Sequence, residues 1–257
     1  EILAHYGKTT QVTTLVKAIQ SKNPKIQLKG LIGSSDAMVA ASAYHLHERP
    51  YVFILPTHEE ASYFLSDLES LFDKQILFFP ASYRKAFDFM QLDSAHVLQR
   101  AETLSSLNHN SELPKIVVTY PEAIAEKVIN RQDLEKNTLP ITQNTKLSID
   151  FINEFLYEYD FERVDFVYEP GQFAIRGGIV DIFSFSNDLP YRVEFFGDEI
   201  ESIRTFDIES QLSVSKIHTV TIVPNVQAKF LANNHISLLE YIDRDSVIWI
   251  KDVQFTF

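Results

Sequence analysis

Two patterns of apolar residues divide the chain. Up to Asn130, short and wholly apolar runs alternate with stretches whose apolar residues recur three or four positions apart. Tyr51–Pro56 reads YVFILP, Gln75–Pro80 reads QILFFP and Lys115–Tyr120 reads KIVVTY; runs of this kind predict strands buried on both faces. Between them, His58–Phe72 sets Ala61, Phe64, Leu65, Leu68, Leu71 and Phe72 along one helical stripe. Asp93–Leu107 does the same with Val97, Leu98, Ala101 and Leu104. Gln27–Ile32 is predicted as a further strand, leading through a Gly-Ser turn into a helix near Ala37–His47. Pro121 suits the start of the next helix, where its missing N–H would be unpaired anyway. Strand–helix alternation of this type argues for a parallel sheet covered by helices on both faces.

The pattern then changes. Asn130–Lys146 is polar and reads as a linker. A helix over Ser148–Tyr157 follows, then short strands at Arg163–Val167, Phe173–Arg176, Ile179–Phe183, Tyr191–Phe196, Ser202–Phe206 and Thr219–Val223. Turn residues at Glu169-Pro170-Gly171, Gly177-Gly178, Ser186-Asn187-Asp188 and Gly197-Asp198 separate them, which predicts an antiparallel α+β block. Asn234–Ile242 reads as a helix, and Val247–Ile250 (VIWI) returns to the buried-strand pattern of the first half. The expected fold class is therefore α/β: a parallel-sheet domain over 1–130, an inserted antiparallel α+β domain over 146–225, and a return to the first domain over 226–257.

Composition narrows the function classes. The 20 Phe and 11 Tyr supply a sizeable core, and the absence of cysteine excludes disulfides and thiolate metal sites. Neither a membrane-spanning run nor a signal peptide is visible, so a cytoplasmic protein is expected. The chain opens at Glu1 without Met and is read as processed or cut from something longer. A net charge of −12 opposes non-specific DNA binding, which depends on Lys and Arg neutralising phosphates. Residues 146–225 carry 6 Lys and Arg against 15 Asp and Glu, so −9 of that charge lies in the second block. Arg163, Arg176 and Arg192 nonetheless sit in predicted strands there, where the core does not explain them. They either pair with acids of their own domain or line a face for a partner.

Gly30-Leu31-Ile32-Gly33-Ser34-Ser35-Asp36-Ala37 occupies the place of a phosphate loop, between a predicted strand and a helix. Against the template G-x-x-x-x-G-K-[ST], Gly30 fits, while Ser35 replaces the second Gly, Asp36 the Lys and Ala37 the hydroxyl residue. A carboxylate in the lysine position turns attraction into repulsion, worth roughly 4 kcal/mol for two unit charges about 4 Å apart at an effective dielectric of 20. The alternative reading of Ser34, Ser35 and Asp36 is helix capping. His45 and His47 stand two apart, so on a helix they point away from each other and make a poor metal site.

One stretch is specific enough to carry a resemblance. FERVDFVYEPGQFAIRGGIVDIF at Phe161–Phe183, followed by YRVEFFGDEIESIRTFD at Tyr191–Asp207, resembles the inserted domain shared by the excision-repair helicase UvrB and transcription-repair coupling factors. Phe79–Tyr83 (FPASY) and Val97–Leu104 (VLQRAETL) favour the UvrB-like N-terminal region of the coupling factors. Between those two places UvrB carries a long aromatic hairpin that grips damaged DNA; Arg84–His96 has room for a turn only. The resemblance implies a non-catalytic module that docks UvrA through Arg163, Arg176, Arg192 and Glu194, with Phe196 as a further candidate. Ala174 departs from it, standing where UvrB has another arginine, and Arg204 lies outside the matched positions. It also places Lys251 at the Mg²⁺-binding Asp position and Asp252 at the following Glu, so Gly30, Gly33, Ser35, Asp36, Ala37, Lys251 and Asp252 together describe a degenerate nucleotide site. No cofactor is then expected in this fragment. ATP and Mg²⁺, like RNA polymerase and DNA, would belong to other domains of a parent DNA translocase. The competing expectation is an active UvrB-like ATP-dependent repair helicase domain, which the loop residues oppose.

Overall fold

The computed structural model describes residues 2–22, 24–86, 89–92, 94–108, 114–225 and 235–256. The chain adopts a mixed α/β fold of two compact units, each assembled from separate stretches. One comprises Glu1–Ala81, His109–Glu126 and Ser237–Phe257; the other comprises Ser82–Asn108 and Lys127–Ile236.

The first unit holds a four-stranded parallel sheet in the order Val247–Ile250, Tyr51–Ile54, Ile116–Thr119, Leu77–Phe79. The apolar runs lie where their composition requires, since all four residues of Tyr51–Ile54 and of Ile116–Thr119 are buried. Parallel pairing needs crossovers, and helices supply them. Ser35–Leu46 buries Ala37, Ala40, Ala41 and Ala43, small side chains that permit close helix approach. His58–Glu69 is capped by Thr57, whose hydroxyl accepts from the Glu60 N–H at 3.2 Å. The amphipathic helix Thr10–Ile19 packs Val12, Leu15, Val16 and Ile19 against Ala43, beside Val247 and Trp249. Gln27–Ile32 joins no sheet among the described residues, contrary to expectation. Gly30 takes a φ of +82° in its middle, a left-handed conformation that breaks an extended ladder.

The second unit is built on a six-stranded sheet in the order Ser213–Ile217, Glu199–Phe206, Tyr191–Phe196, Ile179–Ile182, Gln172–Arg176, Glu162–Arg163. Every pairing is antiparallel except the last, which is parallel. Helix Ile149–Glu158 covers one face, started by the Ser148 hydroxyl accepting from the Phe151 N–H at 3.2 Å. Its fully buried Ile152 and Leu156 join Phe173, Val180, Ile182, Val193 and Ile203 in one core; each such side chain contributes roughly 1.5–3 kcal/mol. The Gly177-Gly178 hairpin needs both glycines. Gly177 has a φ of +60°, and a Cβ on Gly178 would lie 2.9 Å from the Phe195 carbonyl oxygen.

Three expectations are corrected here. The stretch read as a linker contains helix Arg131–Lys136 and strand Leu139–Thr142, which pairs with Thr219–Ile222. Its few apolar residues decide this, because Leu134 and Ile141 are buried amid polar neighbours. The segment read as a helix from Asn234 (a residue outside those described) instead forms strand His235–Ile236 and the short helix Leu238–Tyr241, with Ser237 and Glu240 making a capping box. Arg84–His96, read as a turn, includes most of a short antiparallel ribbon that pairs Tyr83–Ala86 with Phe89–Leu92.

Candidate functional site

Strand alternation gives the six-stranded sheet one apolar face, turned to the helix, and a second face that carries charges beside a smaller buried cluster of Val167, Ala174, Phe183 and Phe206. Residues directly opposite each other in a sheet share a face. One cross-strand row runs Ala174, Asp181, Arg192, Arg204, Lys216. The neighbouring row runs Arg176, Ile179, Glu194, Ser202. Four cations and two carboxylates thus lie on this face, a positive strip within a block whose balance is −9.

Asp181 anchors the strip. It is fully buried, and both its oxygens accept from arginine: Oδ1 from Arg192 Nε at 2.7 Å, and Oδ2 from Arg192 Nη2 at 2.9 Å and from Arg176 Nη2. The two guanidiniums are braced alike. Arg192 also donates from Nη1 to the Gln211 carbonyl at 3.1 Å and lies 4.4 Å from the Phe206 ring centroid. Arg176 donates from Nη1 to the Asp165 carbonyl at 2.7 Å and lies 5.3 Å from the Phe166 ring centroid. Exposure separates them, at 16% for the Arg192 side chain and 38% for Arg176. Hydrogen bonding to Asp181 raises the pKa of Arg192 above the ordinary guanidinium value, against the effect of burial. Glu194 accepts from the Ser202 hydroxyl at 2.7 Å and pairs with Arg204. The Ser202 hydroxyl, then Arg204, hold its carboxyl below the usual range against partial burial.

The sheet therefore brings Arg176, Arg192 and Glu194 onto one face, with Phe196 82% exposed two residues beyond Glu194. It does not bring Arg163 into those rows. Arg163 stands exposed on the edge strand in register with Phe173, a residue of the apolar core, and has no ion-pair partner among the described residues. Arg204, outside the matched positions, lies on the same face, directly opposite Arg192 and paired with Glu194. Asp181 was missed. Its signal was available, since counting back across the Gly177-Gly178 turn puts it opposite Ala174, on the same face as Arg176.

In the first unit, the residues of the predicted nucleotide site are partly brought together. Asp36 lies in the first turn of helix Ser35–Leu46, and Lys251 follows strand Val247–Ile250. Lys251 Nζ reaches Asp36 Oδ2 at 3.1 Å and Glu60 Oε2 at 3.4 Å. Partial burial opposes the lysine charge, but Asp36 and then Glu60 outweigh it and raise its pKa above the ordinary value. Ala37, at the position of a magnesium-binding hydroxyl, is wholly buried. Ser34 makes no side-chain cap; Asp36 Oδ1 instead accepts from the Ala37 N–H at 2.8 Å, and Ser35 Oγ accepts from the Ile32 N–H at 2.7 Å. Gly30 and Gly33 both take positive φ, as does Asp252 after the strand. Among the described residues, no group of three or more His, Asp or Glu could hold a metal ion.

The charged face, and the helix packed on the opposite face of the sheet, lie within one matched stretch. Residues 139–227 match the family described as the UvrB interaction domain. Around it, the chain is similar to proteins named transcription-repair-coupling factor. It is 29% identical over 207 residues to that of Myxococcus xanthus, covering 78% of this chain and 17% of the relative. With that of Bacillus subtilis (strain 168) it is 27% identical over 229 residues, 88% of this chain and 19% of the relative. With that of Rickettsia bellii it is 30% identical over 178 residues, 69% and 16% respectively. Residues 139–227 are thus similar to the UvrB interaction domain, and the matched stretches span less than a fifth of each relative's length. No described helix is long and apolar enough to cross a membrane.

Proposed function

We propose that this chain is a non-catalytic N-terminal module of a transcription-repair coupling factor, recruiting UvrA to stalled transcription complexes during nucleotide excision repair. The observation that carries this reading is the arginine strip at Arg176 and Arg192, lying inside the matched domain on the face its own helix leaves uncovered. Arginine suits such a surface because its planar fork takes carboxylates in two-point contact. Glu194 and Phe196 extend the surface to the hairpin end, and Arg163 adds an exposed cation on the edge strand, outside those rows. RNA polymerase contact, DNA contact and the ATP-driven motor of a cytoplasmic parent translocase are assigned to regions beyond this fragment.

The test is direct binding. Immobilised chain and purified UvrA should give saturable association with a dissociation constant of roughly micromolar or tighter. No association at concentrations about tenfold higher overturns the assignment.

The reversed charges at Asp36 and Lys251 support a parallel sheet of P-loop or helicase type whose nucleotide site is dismantled. Where a working site presents a cation from the loop and a carboxylate from the strand end, this chain presents a carboxylate and a cation. Calorimetric titration with Mg-ATP should release no heat at roughly millimolar nucleotide, and a dissociation constant near 1 μM, about −8 kcal/mol, overturns the reading.

A further inference from the structure

The two arginines of the strip are not equivalent. Of the five N–H groups a guanidinium carries, Arg192 has three engaged within the domain and Arg176 has two. Arg192 takes both oxygens of Asp181 and is mostly covered. Arg176 takes one oxygen and keeps its Nε–H and one hydrogen on each Nη, on a side chain more than twice as exposed. The order of support therefore runs from Arg192, through the buried carboxylate, to Arg176. We infer that Asp181 is a positioning residue for partner docking, acting through Arg176: clamped by Arg192, it fixes the Arg176 guanidinium so that its free N–H groups meet a carboxylate of the partner.

This inference rests on the proposed docking face. Its physical content is preorganisation. A free arginine side chain loses rotamer freedom when a partner fixes it, and that loss weakens binding. Here Asp181, the Asp165 carbonyl and the Phe166 ring have fixed it beforehand. A lysine at 176 would carry the same charge but not the planar fork, so it could not use all three supports together.

The experiment measures UvrA binding by the whole chain for Asp181→Asn, Arg176→Ala, Arg176→Lys and the double variant Asp181→Asn/Arg176→Ala, with a thermal midpoint for each. Asparagine keeps an acceptor for Arg192 Nε but turns N–H groups toward the Arg192 and Arg176 donors. Asp181→Asn should weaken binding at least fivefold alone and less than twofold when Arg176 is already alanine. A purely structural role would give the same loss on both backgrounds and overturns the inference. Arg176→Lys, which leaves Asp181 paired with Arg192, decides the matter should Asp181→Asn fail to fold. It should bind within threefold of Arg176→Ala, and wild-type binding by the lysine variant shows that charge alone suffices. Wild-type binding by Arg176→Ala is a different failure, because it removes the docking face itself.

Discussion

Arg192→Ala is expected to destabilise the six-stranded unit by several kcal/mol, while Arg176→Ala changes its stability by less than about 1 kcal/mol. Asp181 has no exposure to solvent, and Arg192 supplies two of the three hydrogen bonds that neutralise it. Breaking a buried ion pair from one side typically costs about 3–5 kcal/mol, because a charge is left behind in a poor dielectric. Arg176 stays on one oxygen, which places the expected loss toward the lower end of that range. The reverse deletion leaves the two-point Arg192 pair whole and removes a side chain that is more than a third exposed, where ion pairs contribute about 0–1 kcal/mol. Hydrogen exchange at increasing urea, followed on peptides spanning residues 172–206, reads the unit directly. Equal midpoints for the two variants contradict the ordering of support derived from the geometry.

The second large effect is on binding. Arg176→Ala should weaken UvrA association at least tenfold, and Arg163→Ala should also weaken it, both with the folded state intact. Truncating one partner of a buried interfacial charge pair costs about 2–5 kcal/mol, against little for a charge at the rim. Arg163 is exposed and free of ion pairs among the described residues, so its removal gives up nothing within the domain. Arg204 cannot serve as the neutral control its position outside the motif suggests, since it holds Glu194 on the same face. Arg244, exposed and in the other unit, is the better control and should bind as wild type. Unchanged affinity for both Arg176→Ala and Arg163→Ala would place the docking surface elsewhere.

Much of the fold could be read from the residues because burial was written in their order. Runs such as YVFI and IVVT have no polar side, and the parallel sheet places them in its interior. Strand Ser213–Ile217 was invisible for the opposite reason: SVSKI is exposed at all but its last residue, so no alternation marks it. Segment Gln27–Ile32 carried the apolar residues of a strand, yet the backbone at Gly30 rules one out. The charged face was legible in part. Strand spacing puts Arg192 and Glu194 on one side, but placing Arg204 there depends on a register shift between Glu194 and Phe195. A one-residue slip moves every following side chain to the opposite face, and nothing in the residues flanking Gly197-Asp198 announces it. Asp181 shows a related limit, since an acid within an apolar strand reads the same whether its partner is water or two arginines.

The contact between Asp36 and Lys251 has a consequence for how the parallel sheet behaves over time. A nucleotide joining a loop to a strand end comes and goes with its concentration, and the joint tightens and loosens with each turnover. Both halves of this joint are covalently part of the chain, and Lys251 remains protonated beyond the ordinary lysine range. Between partly exposed charges, such a pair is weakened by salt, which screens it. On the proposed reading, in which this site holds no nucleotide, that end of the sheet keeps one setting in a starved cell and in a growing one.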